Sequence, residues 1–385
     1  MSEHSQHAPN IDRWLALIQA DGVGPTLFHR ILDHFGGVDQ ALGAKADEFA
    51  RIEGIGPAKA SRILSSLGQR DPQRELDAAQ KQGVHLIHMA DPRYPTPLKR
   101  IYDPPPNLYV KGELTRRHPP CVAIVGSRDC SLYGQEQAAR FAHLLANADF
   151  TIVSGMARGI DAAAHRGALS AGGQTLAVQG SGLARCYPPE HKKLFEEICT
   201  HGACISELPM DAAPKGEHFP TRNRIIAGMS LATMIVEAGL RSGAMITARL
   251  ALENNREVLA VPGRIDSPLS RGPHQLLKQG AVLVESIEDI VSSLGAIGAE
   301  MQDHVQTSME ELSQKEGTKK QPVIDHLTKT EQLIYCCLGQ EPQHADHITG
   351  HTRLPVGKVT ADLVSLQLKG LVKSLPGNLF KLTGH

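Results

Sequence analysis

Phe219-Pro220-Thr221-Arg222-Asn223-Arg224, just ahead of the apolar run Ile225-Ile226-Ala227, places two guanidinium groups, an amide and an aromatic ring at the start of a helix. The first turn of a helix has backbone N–H groups without intrahelical partners and carries the positive end of the helix dipole, so it favours an anion. A ring beside guanidinium groups adds a flat face for a base. The chemistry that suits this segment is therefore a grip on a phosphate chain carrying bases, made without reading their order. Salt bridging inside the fold is the competing use of the same arginines, and the segment alone does not decide between the two.

Other loops share its character, and each follows a short apolar run. Residues 122–125 lead into Gly126-Ser127-Arg128, then Ser131 and Gly134. Residues 151–153 lead into Ser154-Gly155 and Arg158-Gly159-Ile160-Asp161, and residues 175–178 into Gly180-Ser181-Gly182 and Arg185. Residues 203–205 precede Lys215 and the opening segment. Residues 233–236 precede Glu237-Ala238-Gly239, Ser242-Gly243 and Thr247. A small residue, a hydroxyl and a guanidinium at the carboxyl end of a strand make a phosphate cradle.

The elements that must position these loops follow from periodicity. The five runs, with two more at 257–261 and 282–284, are apolar at nearly every position. They alternate with helical patterns at 135–145, 162–169, 190–198, 222–229, 247–254 and 274–278. That alternation predicts a buried parallel sheet covered on both faces, a doubly wound α/β domain of Rossmann type over residues 119–294. Ligands of such sheets bind outside the carboxyl ends of the strands, which is where the loops lie.

Residues 11–68 read as a helical domain of helix-hairpin-helix, SAM-like type. Glycine turns at Gly22-Val23-Gly24-Pro25 and Gly54-Ile55-Gly56-Pro57 precede helical runs at 27–35 and 58–67. Such turns expose N–H groups that can touch a DNA backbone, but residues 12–62 carry six basic against seven acidic residues, which weakens that use. Residues 69–118 give a helix, a short strand and then Tyr94-Pro95, Asp103-Pro104-Pro105-Pro106 and Leu108-Tyr109. These prolines predict an extended strap laid over the next domain. Residues 295–322 form a polar linker. Residues 323–385 give helices at 330–338, 345–349 and 356–369 followed by a hairpin at Gly377, the order of a winged helix. Only Lys358 and Lys369 charge its third helix, so a protein contact and a weak double-stranded DNA contact both stay open.

The 385 residues carry a formal net charge of −1, so any nucleic-acid binding must come from local patches. No apolar run reaches the length that spans a membrane and the N-terminus is polar, which gives the expectation of a soluble, cytoplasmic protein. The seven cysteines include no Cys-x-x-Cys pair and read as reduced thiols. His344, His347 and His351 read as polar helix surface, and no metal site is expected. Gly180-Ser181-Gly182 has Arg185 where a dinucleotide fingerprint needs its last glycine, and it does not follow the first strand, so no cofactor is expected.

No catalytic set emerges. Ser127, Ser154, Ser181 and His165 lack a Gly-x-Ser-x-Gly elbow, and there is no Walker A sequence. Glu237 with Gly239 and Ser242-Gly243 resembles the loop of Rossmann enzymes that hydrolyse nucleoside monophosphates. In that alternative Glu237 is the acid–base residue and Arg128 the phosphate ligand.

Taken in order, the motifs resemble those of one family, the DNA-processing protein A family, also called DprA or Smf. They are Tyr94-Pro95 with Asp103-Pro104-Pro105, then Val122-Ala123-Ile124-Val125-Gly126-Ser127-Arg128 with Tyr133-Gly134, and Ser154-Gly155-Met156-Ala157-Arg158-Gly159-Ile160-Asp161 with His165. Tyr187-Pro188, Ser206-Glu207 and Phe219 to Ile226 follow, then Glu237-Ala238, Ser242-Gly243 and Val261-Pro262-Gly263. The resemblance covers about residues 90–285, and the flanking helical and winged-helix segments are similar to those of longer members. It implies a non-enzymatic protein that binds single-stranded DNA as a homodimer and helps load RecA recombinase onto it in natural transformation. The DNA-contacting positions it implies are Ser127, Arg128, Phe219, Arg222, Asn223 and Arg224, with Lys215 beside them; the loop reading adds Gly126 and Arg158. The region about 274–283 would lie near the dimer contact.

Overall fold

Strands apolar on both faces need cover on both sides, and in this chain helices supply it. The computed structural model describes residues 11–67, 69, 71–114, 119–299, 327–338, 342–369, 371–375 and 377–382. It divides into two units, residues 1–308 and 309–385.

The first unit opens with α1 (Ile11–Ile18), α2 (Pro25–Phe35), α3 (Val38–Gly43), α4 (Ala46–Phe49) and α5 (Pro57–Ser66). Helices α2 and α5 each start on a glycine N-cap followed by proline, whose fixed φ suits the first helical position and whose missing N–H costs nothing there. Trp14, Phe28, Ile31, Phe49 and Ile63 fill their shared core. Then come α6 (Pro72–Lys81), β1 (Val84–His88) and β2 (Asn107–Gly112).

The doubly wound part follows: β3 (Cys121–Val125), α7 (Leu132–Asn147), β4 (Thr151–Ser154), α8 (Ile160–Ser170), β5 (Thr175–Val178), α9 (Lys192–His201) and β6 (Ala203–Ser206). It continues with α10 (His218–Met229), β7 (Ala232–Ile235), α11 (Gly243–Glu253), β8 (Glu257–Ala260), α12 (Arg271–Lys278), β9 (Val282–Leu283) and α13 (Ile287–Ser293). Each expected strand and helix is present within a few residues of its expected bounds.

The strand order is β1-β2-β6-β5-β4-β3-β7-β8-β9. Strands β3 to β9 are parallel, while β2 pairs antiparallel with β6 and β1 antiparallel with β2. The strap expectation thus needs correction over its last part. No proline follows Pro106 within the segment, so Asn107-Leu108-Tyr109-Val110 keep their N–H groups and join the free edge of β6. The chain leaves β3 toward β4 on one side and later returns to β7 on the other. This makes β3/β7 the topological switch point, where a crevice opens between loops.

The second unit holds α14 (Lys329–Cys337), β10 (Gln343–His344), α15 (Ala345–Thr352), α16 (Val356–Leu368), β11 (Val372–Leu375) and β12 (Leu379–Leu382). Its sheet order is β10-β12-β11, that of a winged helix, around Ile334, Ile348, Val359 and Leu363. Lys369 pairs with Glu331 at 2.7 Å and Lys358 with Asp362 at 2.9 Å. Lys369, helped by Ser365 and Thr328, holds the Glu331 carboxyl down to about 2. Of the expected linker, residues 300–322 lie outside the described residues. Among the described residues no helix is long and apolar enough to cross a membrane.

Candidate nucleic-acid interface

Helix α10 crosses from β6 to β7 and its first turns meet the crevice. Successive residues on a helix are turned by about 100°, so Arg222 and Arg224 point to opposite sides. Arg222 faces the sheet. Its Nη1 donates to the carbonyl of Gly155 just beyond β4 at 2.8 Å and to that of Val178 at the end of β5, and its Nε donates to Asn223 Oδ1 at 3.1 Å. Burial lowers its pKa to about 10, against the opposing pull of Asp161, with Arg128 adding repulsion. Asp161 is itself buried, and burial pushes its carboxyl up while Arg222 draws it down.

Arg224 turns the other way. Its Nε lies 3.1 Å from Asp103 of the strap, and Nη2 meets Glu207, the residue after β6. It is not among the residues lining the crevice.

Phe219 is half-buried and its ring rests on the backbone of Gly180: a β carbon there would lie 2.7 Å from Phe219 Cδ1. Tyr187 flanks it with ring centroids 5.6 Å apart and planes tilted by 39°. The Arg128 guanidinium lies over the ring, 5.1 Å from its centroid. An exposed cation thus sits on an aromatic face at the mouth of the crevice, a contact worth roughly 0.5–1 kcal/mol at exposed sites.

Below them is a cavity of about 530 Å³, within the range of small-molecule and cofactor sites. Gly126, Ser127, Arg128, Phe219, Arg222 and Asn223 line it, and the N-terminal turn of α11 at Ser242 and Gly243 closes one wall. Six of the nine residues singled out by the sequence therefore meet in one place. Arg158 borders the adjoining slot under Phe219, but its guanidinium pairs with Glu190 at 2.5 Å, both side chains about half exposed. Lys215 is exposed next to Gly216, which reaches the cavity, and forms no ion pair among the described residues.

Three of the side chains weighed for catalysis, Glu237, Ser154 and His165, have other partners. Glu237 is buried and accepts from Ser131 N at 2.8 Å and from Ser131 Oγ at 2.6 Å, so it anchors the first turn of α7 and does not line the cavity. Ser154 Oγ donates to Ile124 O at 2.6 Å. His165 is fully buried, with Nδ1 2.7 Å from Thr175 Oγ1, and burial pushes its pKa down to about 3. His344 caps α15 by accepting from Asp346 N, and the rings of His347 and His351 lie 4.6 Å apart with their planes tilted by 35°. Among the described residues no group of three or more metal-ligating side chains is present.

Sequence reasoning missed that Gly180 and Tyr187 back Phe219. The signal was visible in Gly180-Ser181-Gly182, but it read as an incomplete nucleotide fingerprint, because nothing local says that a ring 39 residues later rests on Gly180.

Comparison with known proteins places these observations. The family model for DNA recombination-mediator protein A matches residues 85–295, that for the DprA winged helix domain residues 318–378, and that for a SAM-like helix-hairpin-helix tandem residues 15–69. The chain is 36% identical over 384 residues to Protein Smf of Synechocystis, covering 94% of this chain and 96% of that protein. It is 44% identical over 202 residues to DNA processing protein DprA of Streptococcus pneumoniae, covering 52% of this chain and 71% of that one. The crystal structure of DNA processing protein A from S. pneumoniae matches with a TM-score of 0.66 at 36% identity, over 73% of this chain and 97% of that one.

Proposed function

The chain belongs to the DNA recombination-mediator protein A family, and on that premise we propose that it binds single-stranded DNA in the crevice at the β3/β7 switch point and passes the strand to RecA recombinase during natural transformation. The observation that carries this reading is the Arg128 guanidinium lying on the Phe219 ring over a cavity floored by Ser127 and Asn223. An incoming base exchanges with the guanidinium on the ring, and Arg128 moves to a phosphate. Gly126, Ser127 and Lys215 border the path, Arg222 and Asn223 shape its floor, and Arg158 can join once released from Glu190. Duplex is disfavoured, because its bases are already stacked and paired and cannot reach the ring.

In this reading the protein acts in the cytoplasm as a homodimer, which doubles the grip by making the second contact intramolecular. Support for the dimer comes from the outer strand β9, whose Leu283 is exposed, and from Ile265, 92% exposed, in the loop after β8. The working parts are the helical unit 11–68, the connecting segment and strap 69–118, the DNA-binding domain 119–294, the linker 295–322 and the winged helix 323–385. Both lysines of the third winged-helix segment are ion-paired, which leaves it at most a weak double-stranded DNA contact. The protein is not an enzyme in this reading: Glu237, the acid–base residue a nucleoside monophosphate hydrolase would need, is committed to Ser131.

Titrating fluorescent oligothymidine and a duplex of equal length tests the proposal. Tighter binding of the single strand, weakening steeply with salt, is expected. Equal binding of both, or release of free base from nucleoside monophosphates, would reject it.

A further inference from the structure

The strap ahead of β2 carries a charge that the crevice does not use. Asp103 and Glu207 meet on one guanidinium, that of Arg224, which is 4% exposed. Burial raises the pKa of both carboxyls, and the Arg224 charge opposes that rise in each. The rest of the strap holds to the same helix and is braced from behind. Leu98 and Ile101 pack against Gly228 in the last turn of α10, where a β carbon would come within 3.1 and 2.6 Å of them. Tyr94 Oη donates to Pro105 O at 2.7 Å, and His29 Nε2 of α2 lies 2.8 Å from Pro104 O.

We propose that Asp103, Arg224 and Glu207 form a clamp that fixes the rotation of α10, so that Arg224 positions the DNA site without touching DNA. The argument is geometric and rests on the single-stranded DNA reading above. Phe219 must sit on Gly180 and Arg222 must reach the carbonyls at the ends of β4 and β5, and both depend on how α10 is turned about its axis. Arg224, on the opposite face, is tied at once to the sheet through Glu207 and to the strap through Asp103. Removing Arg224 leaves Glu207 buried without its cation, and removing either carboxylate frees one side of the guanidinium, so in each case α10 loses a tie that fixes its rotation. The clamp also gives the proline run a purpose: Pro104, Pro105 and Pro106 stiffen the chain that presents Asp103.

The test measures oligothymidine affinity, its salt dependence and thermal melting for D103N, E207Q, R224Q and the double variant R224Q/E207Q. Neither Asp103 nor Glu207 lines the crevice. The clamp predicts that each single variant loses roughly three- to tenfold in affinity while keeping the wild-type salt slope. It also predicts that the double variant binds better than the product of its singles, because the more deeply buried carboxylate, Glu207, is then no longer left facing an absent cation and only the part-exposed Asp103 remains. If Arg224 contacts a phosphate instead, R224Q flattens the log–log salt slope by about 0.7, D103N and E207Q bind like wild type, and the effects multiply. That pattern overturns the clamp. Should R224Q fail to fold, D103N and E207Q decide alone, since each is nearly isosteric. Wild type that does not bind oligothymidine rejects the DNA reading, whereas wild type that binds alongside clamp variants of equal affinity rejects only the clamp.

Discussion

Replacing Gly180 with alanine probes the stacking surface without removing any charge. The new β carbon would lie 2.7 Å from Cδ1 and 3.0 Å from Cε1 of Phe219, where carbon atoms prefer about 3.5–4.0 Å. The ring must retreat by about 1 Å, which disturbs its contacts with the guanidinium of Arg128 and the ring of Tyr187. A base stacked on an aromatic side chain contributes about 1–3 kcal/mol by alanine substitution. A displaced but surviving ring should forfeit part of that, on the order of 1 kcal/mol or about fivefold in affinity, less than Phe219→Ala forfeits. Anisotropy titrations of labelled oligothymidine at about 50 and about 200 mM salt would show the loss equally at both, since no phosphate contact is removed. A folded Gly180→Ala protein that binds like wild type, or one whose loss appears as a flatter salt slope, would refute the reasoning.

Arg128→Ala should flatten the log–log salt slope by about 0.7, so that its deficit shrinks roughly 2.6-fold between about 50 and about 200 mM salt; an unchanged slope would remove Arg128 as a phosphate ligand. Gly134→Ala would set a β carbon 2.4 Å from Glu237 Oε2 and break its bonds to Ser131. The protein should melt earlier, by a loss of about 1–3 kcal/mol, while the salt slope of DNA binding stays as in wild type. His165, whose pKa burial depresses to about 3 from 6.5, stays neutral in the fold while the unfolded chain takes up a proton. Its contribution is complete above about pH 6.5 and falls by about 1.4 kcal/mol per pH unit as acidification proceeds toward about pH 3. Wild type should therefore lose more melting temperature than His165→Gln between about pH 7 and about pH 5; parallel curves would contradict this.

The alternation of apolar runs and helical patterns was enough to read the sheet and its order of elements, because strands buried on both faces have no polar side to hide. Strand β2 escaped because Pro104, Pro105 and Pro106 dominate the local pattern, and its partner β6 lies far ahead in the chain. The convergence of Ser127, Arg128, Phe219, Arg222 and Asn223 followed from a single rule, that ligands sit at the carboxyl ends of parallel strands. What stayed hidden was direction. Arg222 and Arg224 are equivalent as letters, and only the placement of the sheet on one side of α10 and the strap on the other sends one to the crevice and the other to Asp103 and Glu207. Pairing of Arg158 with Glu190 likewise joins two loops that no local signal links.

Photo-cross-linking with an oligonucleotide carrying 5-iodouracil, followed by mass spectrometry of the joined peptide, tests the central claim most directly. The account predicts attachment at Phe219 or its neighbour Tyr187, competed away by unlabelled single strand and lost in Phe219→Ala when Tyr187 is also replaced. Attachment to the helical unit or the winged helix, with none at the crevice, would contradict it.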